Sequence, residues 1–365
     1  MSLLKSNYLK DLPERISSHW KSVRDFVKDF FTENSKTNRD KIKLGLFLLG
    51  VWYLTPNVCT LFRDIYDRLT ANSLKTIQKR YLYSAKIKTE ESKSEELHSW
   101  VVVTGASDGI GKAYALLFGS LGFNVVLVAR SQDKLVDVAG ILESKHKVHT
   151  RIIQVDFSKV FTYEDIERKI YQEVKDLDIS ILVNNVGVGH FCRFEKLSYK
   201  SIYELIHVNI HSYVYVTYVL IHKLKERATK KRAAIINVSS SLGDGLVMPG
   251  FGCYPASKAF NLAFSKTLAN EFENIDVLGV SAGQVATNFR CVGMPNNNEG
   301  IHKGAISPDD HVRGVLKYLG RAKVATGSAQ HTLKFRLYKA IGPLLSRPME
   351  KRIMKSVDER NAQLF

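Results

Sequence analysis

Residues 100–130, WVVVTGASDGIGKAYALLFGSLGFNVVLVAR, decide the fold of this chain. They read as an apolar strand, a glycine-rich turn, a helix and a second apolar strand. The turn carries Gly105, Gly109 and Gly111 in the spacing G-x-x-x-G-x-G. Glycines in such a turn let the backbone approach a pyrophosphate, and the following helix offers unpaired N–H groups and the positive end of its dipole. The pattern therefore predicts a site for a phosphate-bearing ligand at the carboxyl end of the first strand.

Four further apolar runs follow, and stretches of helical pattern separate them. They are TRIIQVDFS (150–158), ISILVNNVG (179–187), AAIINVSSS (233–241) and IDVLGVSAG (275–283). Continuous β-branched runs without polar alternation are typical of parallel strands that are buried on both faces. The sequence therefore predicts an α/β fold: a single Rossmann-like, doubly wound parallel sheet with helices on both faces.

The charge of the chain is strongly positive. Among 365 residues, Lys and Arg number 53 against 36 Asp and Glu, which gives a formal net charge of +17. Such an excess favours polyanionic partners, namely nucleic acid, anionic lipid or phosphate-bearing small molecules. Because no nucleic-acid recognition motif is present, we expect no nucleic-acid partner.

The cysteines indicate neither a disulfide framework nor a metal site. Cys59, Cys192, Cys253 and Cys291 lie far apart, and none of them forms a C-x-x-C pair. We therefore expect a reducing compartment and no metal.

An uncharged stretch of 19 residues runs from Leu44 to Phe62. At about 1.5 Å per residue it is just long enough to cross a hydrocarbon core of about 30 Å. We predict a membrane anchor over 44–62; a segment that only dips into the interface and a buried core helix are the alternatives. The flanks, Lys43 and Arg63, are both positive and leave the orientation open.

The remaining segments outside the core are defined by their charge. Residues 1–43 read as a charged amphipathic segment and 63–98 as a polar linker, both outside a catalytic domain over 99–330. Between Arg321 and Ser356 there are nine Lys or Arg and one acid, Glu350, with apolar residues interleaved. The pattern over 331–365 is typical of a basic amphipathic surface that lies on anionic lipid or binds an anionic substrate. A solvated basic helix face is the alternative.

Tyr254 and Lys258 are four residues apart and therefore share one face of a predicted helix. A tyrosine hydroxyl ordinarily ionises near pH 10, and a nearby lysine ammonium lowers that pKa by favouring the phenolate. The pair predicts proton transfer to or from a carbonyl oxygen.

These motifs occur together in a specific order: TGASDGIG (104–111), VDFS (155–158), NNVG (184–187), HVNIHS around Asn209, NVSSS (237–241) and YPASK (254–258). Over roughly 98–330 the chain resembles the short-chain dehydrogenase/reductase family. NNVG, together with the apolar segment ahead of the domain, resembles the membrane-bound subgroup of very-long-chain 3-oxoacyl-CoA reductases and 17β-hydroxysteroid dehydrogenases.

The resemblance implies an NADPH-dependent carbonyl reductase. Its substrate would be a long-chain 3-oxoacyl-CoA in fatty-acid elongation, or alternatively a steroid ketone. It also implies membrane lipid as a partner, the endoplasmic reticulum membrane with the catalytic domain in the cytosol, and a homodimer as the assembly to consider. A catalytically silent lipid-binding or scaffold member is the non-enzyme alternative.

The same resemblance implies four catalytic residues: Asn209, Ser241, Tyr254 and Lys258. Tyr254 would donate a proton, Ser241 would polarise the substrate carbonyl, and Asn209 would hold a water that links Lys258 to solvent. Counting 13 residues back from the tyrosine selects Ser241, whereas counting from the strand motif N-x-S-S selects Ser240.

The cofactor contacts implied are Thr104, Gly105, Ser107, Asp108, Gly109, Ile110, Gly111, Arg130, Asp156, Asn184, Gly187, Tyr254, Lys258 and Thr287. Asp156 would meet the adenine, and Asn184 and Gly187 would form the wall beside the adenosine ribose. An acidic residue at the end of the second strand binds the ribose of NAD. Here Arg130 stands in its place and can pair with a 2′-phosphate, which favours NADPH.

Two positions depart from the family pattern. Ala282-Gly283 replaces Pro-Gly after the sixth strand, so we expect a less rigid loop there. Pro255 directly follows the tyrosine, which a helix tolerates only in its first turn.

Overall fold

The computed structural model describes residues 25, 45, 47–48, 50, 73–82, 84–87, 95–160, 162–245, 248–289 and 304–364. The chain divides into two compact units, Met1–Leu69 and Thr70–Phe365, and the elements below belong to the second. The strands are β1 (Ser84–Ile87), β2 (Glu95–His98), β3 (Trp100–Thr104), β4 (Asn124–Ala129), β5 (Thr150–Gln154), β6 (Ile179–Asn184), β7 (Ala233–Val238), β8 (Ile275–Val280) and β9 (Val324–Ala325).

The helices of this unit alternate with its strands. They are α1 (Leu74–Tyr81), α2 (Gly109–Ser120), α3 (Gln132–Ile141, extended by a π-helical turn Leu142–His146), α4 (Tyr163–Ile166, continued by π-helical Glu167–Tyr171 and by Gln172–Val174), α5 (Tyr199–Ile206), α6 (Ser212–Lys230), α7 (Tyr254–Glu271), α8 (Pro308–Leu316) and α9 (Ala329–Leu364). A π-helical turn, His207–His211, joins α5 to α6, and short 3₁₀ turns lie at Phe194–Lys196 and Ser241–Gly243.

Seven strands form one parallel sheet in the order β5-β4-β3-β6-β7-β8-β9. The chain runs outward from β3 to β5 and then returns to β6, which pairs with β3 on its other side. At such a reversal of direction a crevice opens beyond the carboxyl ends of the strands. The prediction of a Rossmann-like parallel sheet is confirmed, and the crevice falls between the ends of β3 and β6.

Both faces of the sheet are covered, as the sequence predicted. Alternate residues of β3 enter separate cores: Val101 and Val103 pack with α2, α3 and α8, whereas Val102 packs with α4, α6 and α7. β3, β4, β6 and β7 are buried along their whole length. β5 differs, since most of its residues are only half-buried, because it is an edge strand. The expectation that every apolar run is buried on both faces is wrong there.

The prediction that residues 63–98 form a linker outside the catalytic domain is wrong for α1. Ile77 and Tyr81 are fully buried and belong to the core under the sheet. The Tyr81 hydroxyl donates to Asp276 Oδ2 at 2.6 Å, and the guanidinium groups of Arg80 and Arg232 bind the same carboxylate. A buried carboxylate needs such partners. The catalytic unit therefore begins before residue 99, and β1 pairs antiparallel with β2 in the rest of the predicted linker.

The predicted membrane anchor, Leu44–Phe62, lies outside the described residues except for four positions, and the amphipathic segment 1–43 lies outside them except for Asp25. Among helices that the structure describes, none combines the length and the apolarity needed to span a bilayer. The predicted basic C-terminal segment 331–365 falls, as far as Leu364, within α9, and the first turns of α9 form part of the site described next.

Candidate active site

The glycine turn predicted from the sequence connects β3 to α2. Gly105 and Gly109 have φ values of +66° and +54°, in the left-handed region that favours glycine. A Cβ at Gly111 would lie 2.1 Å from the carbonyl oxygen of Gly105, so only glycine lets the helix start so close to the turn. The amino end of α2 therefore faces the crevice with its backbone N–H groups, as a pyrophosphate requires.

Asp108 caps the amino end of α2 and ties the turn to its surroundings. One carboxylate oxygen accepts the Gly109 N–H at 2.7 Å, and the other accepts from Asn288 at 3.0 Å and Lys134 at 3.4 Å. The hydrogen bond from Asn288 is the main reason why the pKa of Asp108 lies below its usual value. Asp108 thus stays ionised and joins the turn to the loop after β8.

A cavity of about 810 Å³ occupies the crevice. Most of the predicted site residues line it: Gly105, Ser107, Asp108, Gly109, Ile110, Arg130, Asp156, Gly187, Ser241, Tyr254, Lys258 and Thr287. The glycine turn forms one wall and the catalytic pair another. A volume of this size is typical of a site for a small molecule or cofactor, and the residues present fit a dinucleotide.

Arg130 lies at the mouth of this cavity, directly after β4, with its side chain exposed. The side-chain amide of Gln154 donates a hydrogen bond to the backbone carbonyl of Arg130 at 3.0 Å. Within the described part of the chain the Arg130 guanidinium makes no hydrogen bond or ion pair. Its predicted pairing with a 2′-phosphate stays a prediction.

Four predicted residues lie behind the cavity rather than in its wall: Thr104, Gly111, Asn184 and Asn209. Asn184 is the last residue of β6 and is fully buried, and its amide donates to Thr217 and Asn237, each at 2.9 Å. The next residue, Asn185, lines the cavity instead and donates to the Thr104 and Gly105 carbonyls at 3.1 and 3.3 Å. The prediction that Asn184 forms the wall of the cavity is wrong: the neighbouring Asn185 lines the cavity instead. The reason is that successive side chains of a strand point in opposite directions.

Tyr254 and Lys258 lie on the first turns of α7, one turn apart, and both face the cavity. They are 6% and 4% exposed. The Lys258 Nζ atom lies 5.8 Å from the centre of the Tyr254 ring and donates to the Val238 carbonyl at 3.2 Å. Pro255 occupies the first turn, where its missing N–H removes no helical hydrogen bond.

The structure distinguishes the two candidate serines by what their hydroxyls contact. Ser240 caps the 3₁₀ turn, since its Oγ accepts the Leu242 N–H at 3.2 Å. Ser241 is held through its backbone N–H, which donates to the Ala282 carbonyl at 2.8 Å. Its hydroxyl has no hydrogen-bond partner among the residues described, and it lines the cavity. This geometry favours Ser241, whose catalytic role stays a prediction.

Asn209 lies in the π-helical turn between α5 and α6, one layer behind Lys258. Its Oδ1 accepts the Val188 N–H at 2.8 Å, while its amide donates to the Val188 carbonyl and to Ser257. Oδ1 therefore keeps one lone pair for a further donor. The predicted role in holding a water beside Lys258 stays a prediction.

Several lining residues were not among the predicted catalytic and cofactor-binding residues. Phe289 lies with its ring 6.1 Å from that of Tyr254. His331, Lys334, Phe335 and Tyr338 come from the first turns of α9. A Cβ at Gly283 would lie 2.6 Å from the His331 ring, so this glycine makes room for the imidazole. The basic pattern of the segment was the only sequence signal for this wall.

The crevice, the glycine turn and the Tyr254–Lys258 pair together define a dinucleotide-dependent oxidoreductase. The chain belongs to the short-chain dehydrogenase/reductase family: the family model described as "short chain dehydrogenase" matches residues 99–293. As a member it is an oxidoreductase with a nicotinamide dinucleotide cofactor.

Curated relatives agree with this assignment. The chain is 32% identical to a very-long-chain 3-oxoacyl-CoA reductase of Scheffersomyces stipitis, over 82% of each chain. It is 36% identical to the mouse protein of that description, over 65% of this chain and 73% of the relative. It is also 31% identical to human "Inactive hydroxysteroid dehydrogenase-like protein 1", over 80% and 84%.

Solved structures share the fold. A short-chain dehydrogenase from Sphingobium yanoikuyae in complex with NADPH has a TM-score of 0.54 at 25% identity, covering 68% of this chain and 96% of that one. An alcohol dehydrogenase from Thermococcus sibiricus complexed with 5-hydroxy-NADP has a TM-score of 0.52 at 27% identity, covering 62% and 94%.

Proposed function

We propose that this protein uses NADPH to reduce the 3-oxo group of long-chain acyl-CoA thioesters to the 3-hydroxyl. The observation that carries the proposal is the position of Tyr254 and Lys258, buried together in the wall of a cavity whose opposite wall is the glycine turn. This arrangement supports carbonyl reduction, and the relatives described as 3-oxoacyl-CoA reductases support the substrate.

The protein's own groups handle the carbonyl oxygen and its proton. The reduced nicotinamide, when bound, supplies the hydride that reaches the carbonyl carbon. Ser241 donates a hydrogen bond to the carbonyl oxygen and Tyr254 gives that oxygen its proton, so that the ketone becomes an alcohol. The Lys258 ammonium stabilises the tyrosinate that remains, because an opposite charge nearby favours the ionised form.

Preference for NADPH over NADH rests on Arg130. Its guanidinium is exposed at the cavity mouth after β4, where a carboxylate would favour NAD. A guanidinium pairs with a phosphate through two parallel hydrogen bonds. The NADPH and 5-hydroxy-NADP complexes among the similar structures support the same preference.

The cationic wall from α9 supports a thioester of coenzyme A over a steroid ketone. Lys334 lines the cavity, and a coenzyme A thioester carries phosphate charges that Lys334 can pair with, whereas a steroid ketone carries none. A steroid ketone is the second candidate, favoured by the apolar side chains Leu242, Met248 and Phe251 in the same wall.

Membrane attachment through Leu44–Phe62, an endoplasmic reticulum location with a cytosolic catalytic domain, and a homodimer belong to the same proposal. They rest on the uncharged 19-residue stretch and on the family resemblance. The described part of the chain does not bear on them.

A catalytically silent member is the competing proposal, and two of the similar proteins are described as inactive. The intact Tyr254–Lys258 pair and the Ser241 hydroxyl beside it argue against this reading. Each of these residues lines the cavity, which supports carbonyl reduction.

The test is NADPH oxidation by the purified full chain, with 3-oxoacyl-CoA thioesters of increasing length and with 17-ketosteroids. We expect turnover on long thioesters, loss of turnover in Tyr254→Phe, and a raised KM for thioesters in Lys334→Glu. Lys351→Glu, an exposed change further along α9, is the matched control for charge. Faster reduction of a steroid ketone would replace the thioester proposal, and no oxidation with either substrate class would favour the silent member.

A further inference from the structure

The far end of α9 packs against two loops that border the substrate side of the cavity. Val357 is 1% exposed. A Cβ at Gly250 would lie 2.7 Å from Val357 and 3.0 Å from the Phe191 ring, so these two side chains cover Gly250. Gly250 has a φ of +86°, which no other residue type adopts without strain. The helix is thus seated on the loops that carry Phe191 and Gly250.

An ion pair holds this end of the helix in place. The Arg193 guanidinium binds both carboxylate oxygens of Asp358, one of them at 2.7 Å. Arg193 also lies 3.8 Å from Glu195. The hydrogen bonds from Arg193 keep the pKa of Asp358 below its usual value, so the pair is formed at neutral pH. Bidentate pairing of this kind fixes orientation as well as distance.

The two loops are themselves joined, and they lead directly to the catalytic tyrosine. The Cys192 N–H donates to the Gly250 carbonyl at 2.8 Å. The rings of Phe191 and Phe251 lie 5.0 Å apart, edge to face. Phe251 belongs to the small apolar cluster that contains Tyr254 and Leu205. Val357 is therefore connected to Phe251 through Phe191, and Arg193 follows Cys192 in the same loop.

The rim beside Tyr254 is apolar. Met248, Phe251 and Leu242 line the cavity there, while the glycine turn and Arg130 lie on the cofactor side. A cavity of about 810 Å³ is a normal size for a single small molecule. The apolar tail of a long substrate must therefore extend past this rim when the cofactor is also bound.

We propose that Arg193 and Asp358 form a latch that positions the apolar rim, and that the latch determines how well the enzyme binds the tail of a long substrate. Both are positioning residues that act through Phe191 and Phe251. The inference rests on the proposed reduction of 3-oxoacyl thioesters and adds to it the residues that select for chain length.

The experiment reverses the charge of one partner and then of both. Asp358→Arg, Arg193→Asp and the double exchange are compared in the full chain, with acetoacetyl-CoA as a tail-less substrate and 3-oxopalmitoyl-CoA as a long one. Glu359→Arg is the matched control: Glu359 is the next residue on α9, is exposed, and pairs only loosely with Lys355 at 3.9 Å. Binding of NADPH and the melting temperature are measured for every variant.

We expect each single reversal to raise KM for 3-oxopalmitoyl-CoA about three- to fivefold, with the double exchange restoring it, as the strength of such pairs allows. KM for acetoacetyl-CoA, kcat and the Kd of NADPH should stay within about twofold, as should every constant of Glu359→Arg. Equal increases for both substrates, no increase, or no rescue by the double exchange would each overturn the latch. Should a reversal prevent folding, Asp358→Asn answers the same question.

Failure of the reaction itself is distinguishable from failure of the latch. If the unaltered protein reduces neither thioester, the proposed function is refuted. The same variants are then compared on a steroid ketone and a small ketone, where the latch predicts a raised KM for the larger one alone.

Discussion

Gly187 leaves room for the Lys258 ammonium group at the candidate active site. A Cβ at position 187 would lie 3.2 Å from the Lys258 Nζ atom and 3.5 Å from Asn209 Oδ1. The Lys258 ammonium donates to the Val238 carbonyl at 3.2 Å, and the lysine side chain is buried. The absence of a side chain at Gly187 thus allows the ammonium group to occupy this position, in addition to any contact that the glycine makes with the cofactor.

Gly187→Ala should therefore impair catalysis more than folding. The added methyl group displaces the Lys258 ammonium from the tyrosine, so we expect kcat to fall about tenfold or more. The melting temperature should change little. The measurement is steady-state turnover together with NADPH binding; a loss that appears only in the Kd of NADPH would assign the glycine to the cofactor instead.

Tyr254→Phe removes the proton donor and leaves the ring. We expect turnover to fall by a factor of about 10² or more, which is the usual contribution of proton transfer. NADPH binding and the melting temperature should remain near those of the unaltered protein, since the ring and its packing are kept. Residual activity above about a tenth would remove Tyr254 from the proposed role.

Arg130→Asp should weaken the binding of NADPH, and it should narrow or reverse the preference of the enzyme for NADPH over NADH. The guanidinium is lost, and the new carboxylate repels a 2′-phosphate but can accept from a ribose hydroxyl. The measurement is kcat/KM for both cofactors. Lys145→Asp, a change with the same charge difference at the end of α3, is the control. Equal use of both cofactors by the unaltered protein would show that Arg130 does not select.

The buried His311 should make stability depend on pH. Burial lowers its pKa from 6.5 to about 4, with a smaller contribution from His331. Between these values the unfolded chain binds a proton that the folded chain does not, so the free energy of unfolding falls as pH falls from about 6.5 to about 4. The loss amounts to roughly 3 kcal/mol, and the full contribution is present above pH 6.5.

The check is the free energy of unfolding against pH for the unaltered protein and for His311→Leu. Protonation of acidic groups with lowered pKa values, such as Asp276, also lowers the free energy of unfolding in acid. The quantity to compare is therefore the difference in the free energy of unfolding between the two proteins at each pH. A difference that does not change with pH would contradict the role of His311.

Truncation should separate the segment before α1 from α1 itself. Removing residues 1–70 leaves Ile77, Arg80 and Tyr81 in place, and we expect a folded catalytic unit. Removing residues 1–98 exposes the core beneath α1 and leaves Asp276 with one cationic partner fewer. Losing two large buried side chains costs roughly 2–5 kcal/mol each, so the shorter product should not fold.

The measurement is the thermal unfolding of each truncated protein with NADPH present.

The full chain should also pellet with membranes and resist carbonate extraction if Leu44–Phe62 is an anchor. Release by carbonate alone would reduce that segment to a peripheral or core role.

The sequence by itself determined the features that depend on neighbouring residues. The glycine turn after β3, the apolar strands, the helix that places Tyr254 beside Lys258, and the tolerated Pro255 follow from local geometry and from the period of apolar residues. The order of the motifs was enough to indicate the family and to place Arg130 at the end of β4.

Tertiary structure alone decided the contacts between residues that are distant in the chain. Arg80 binds Asp276, which lies 196 residues further along the chain. This contact makes α1, which the sequence predicted as part of a polar linker, a part of the catalytic unit. Likewise His331 fits beside Gly283, Val357 covers Gly250, and the Ser241 N–H donates to the Ala282 carbonyl. Such contacts depend on how helices pack against a completed sheet, and a local pattern carries no information about a partner that only packing brings near.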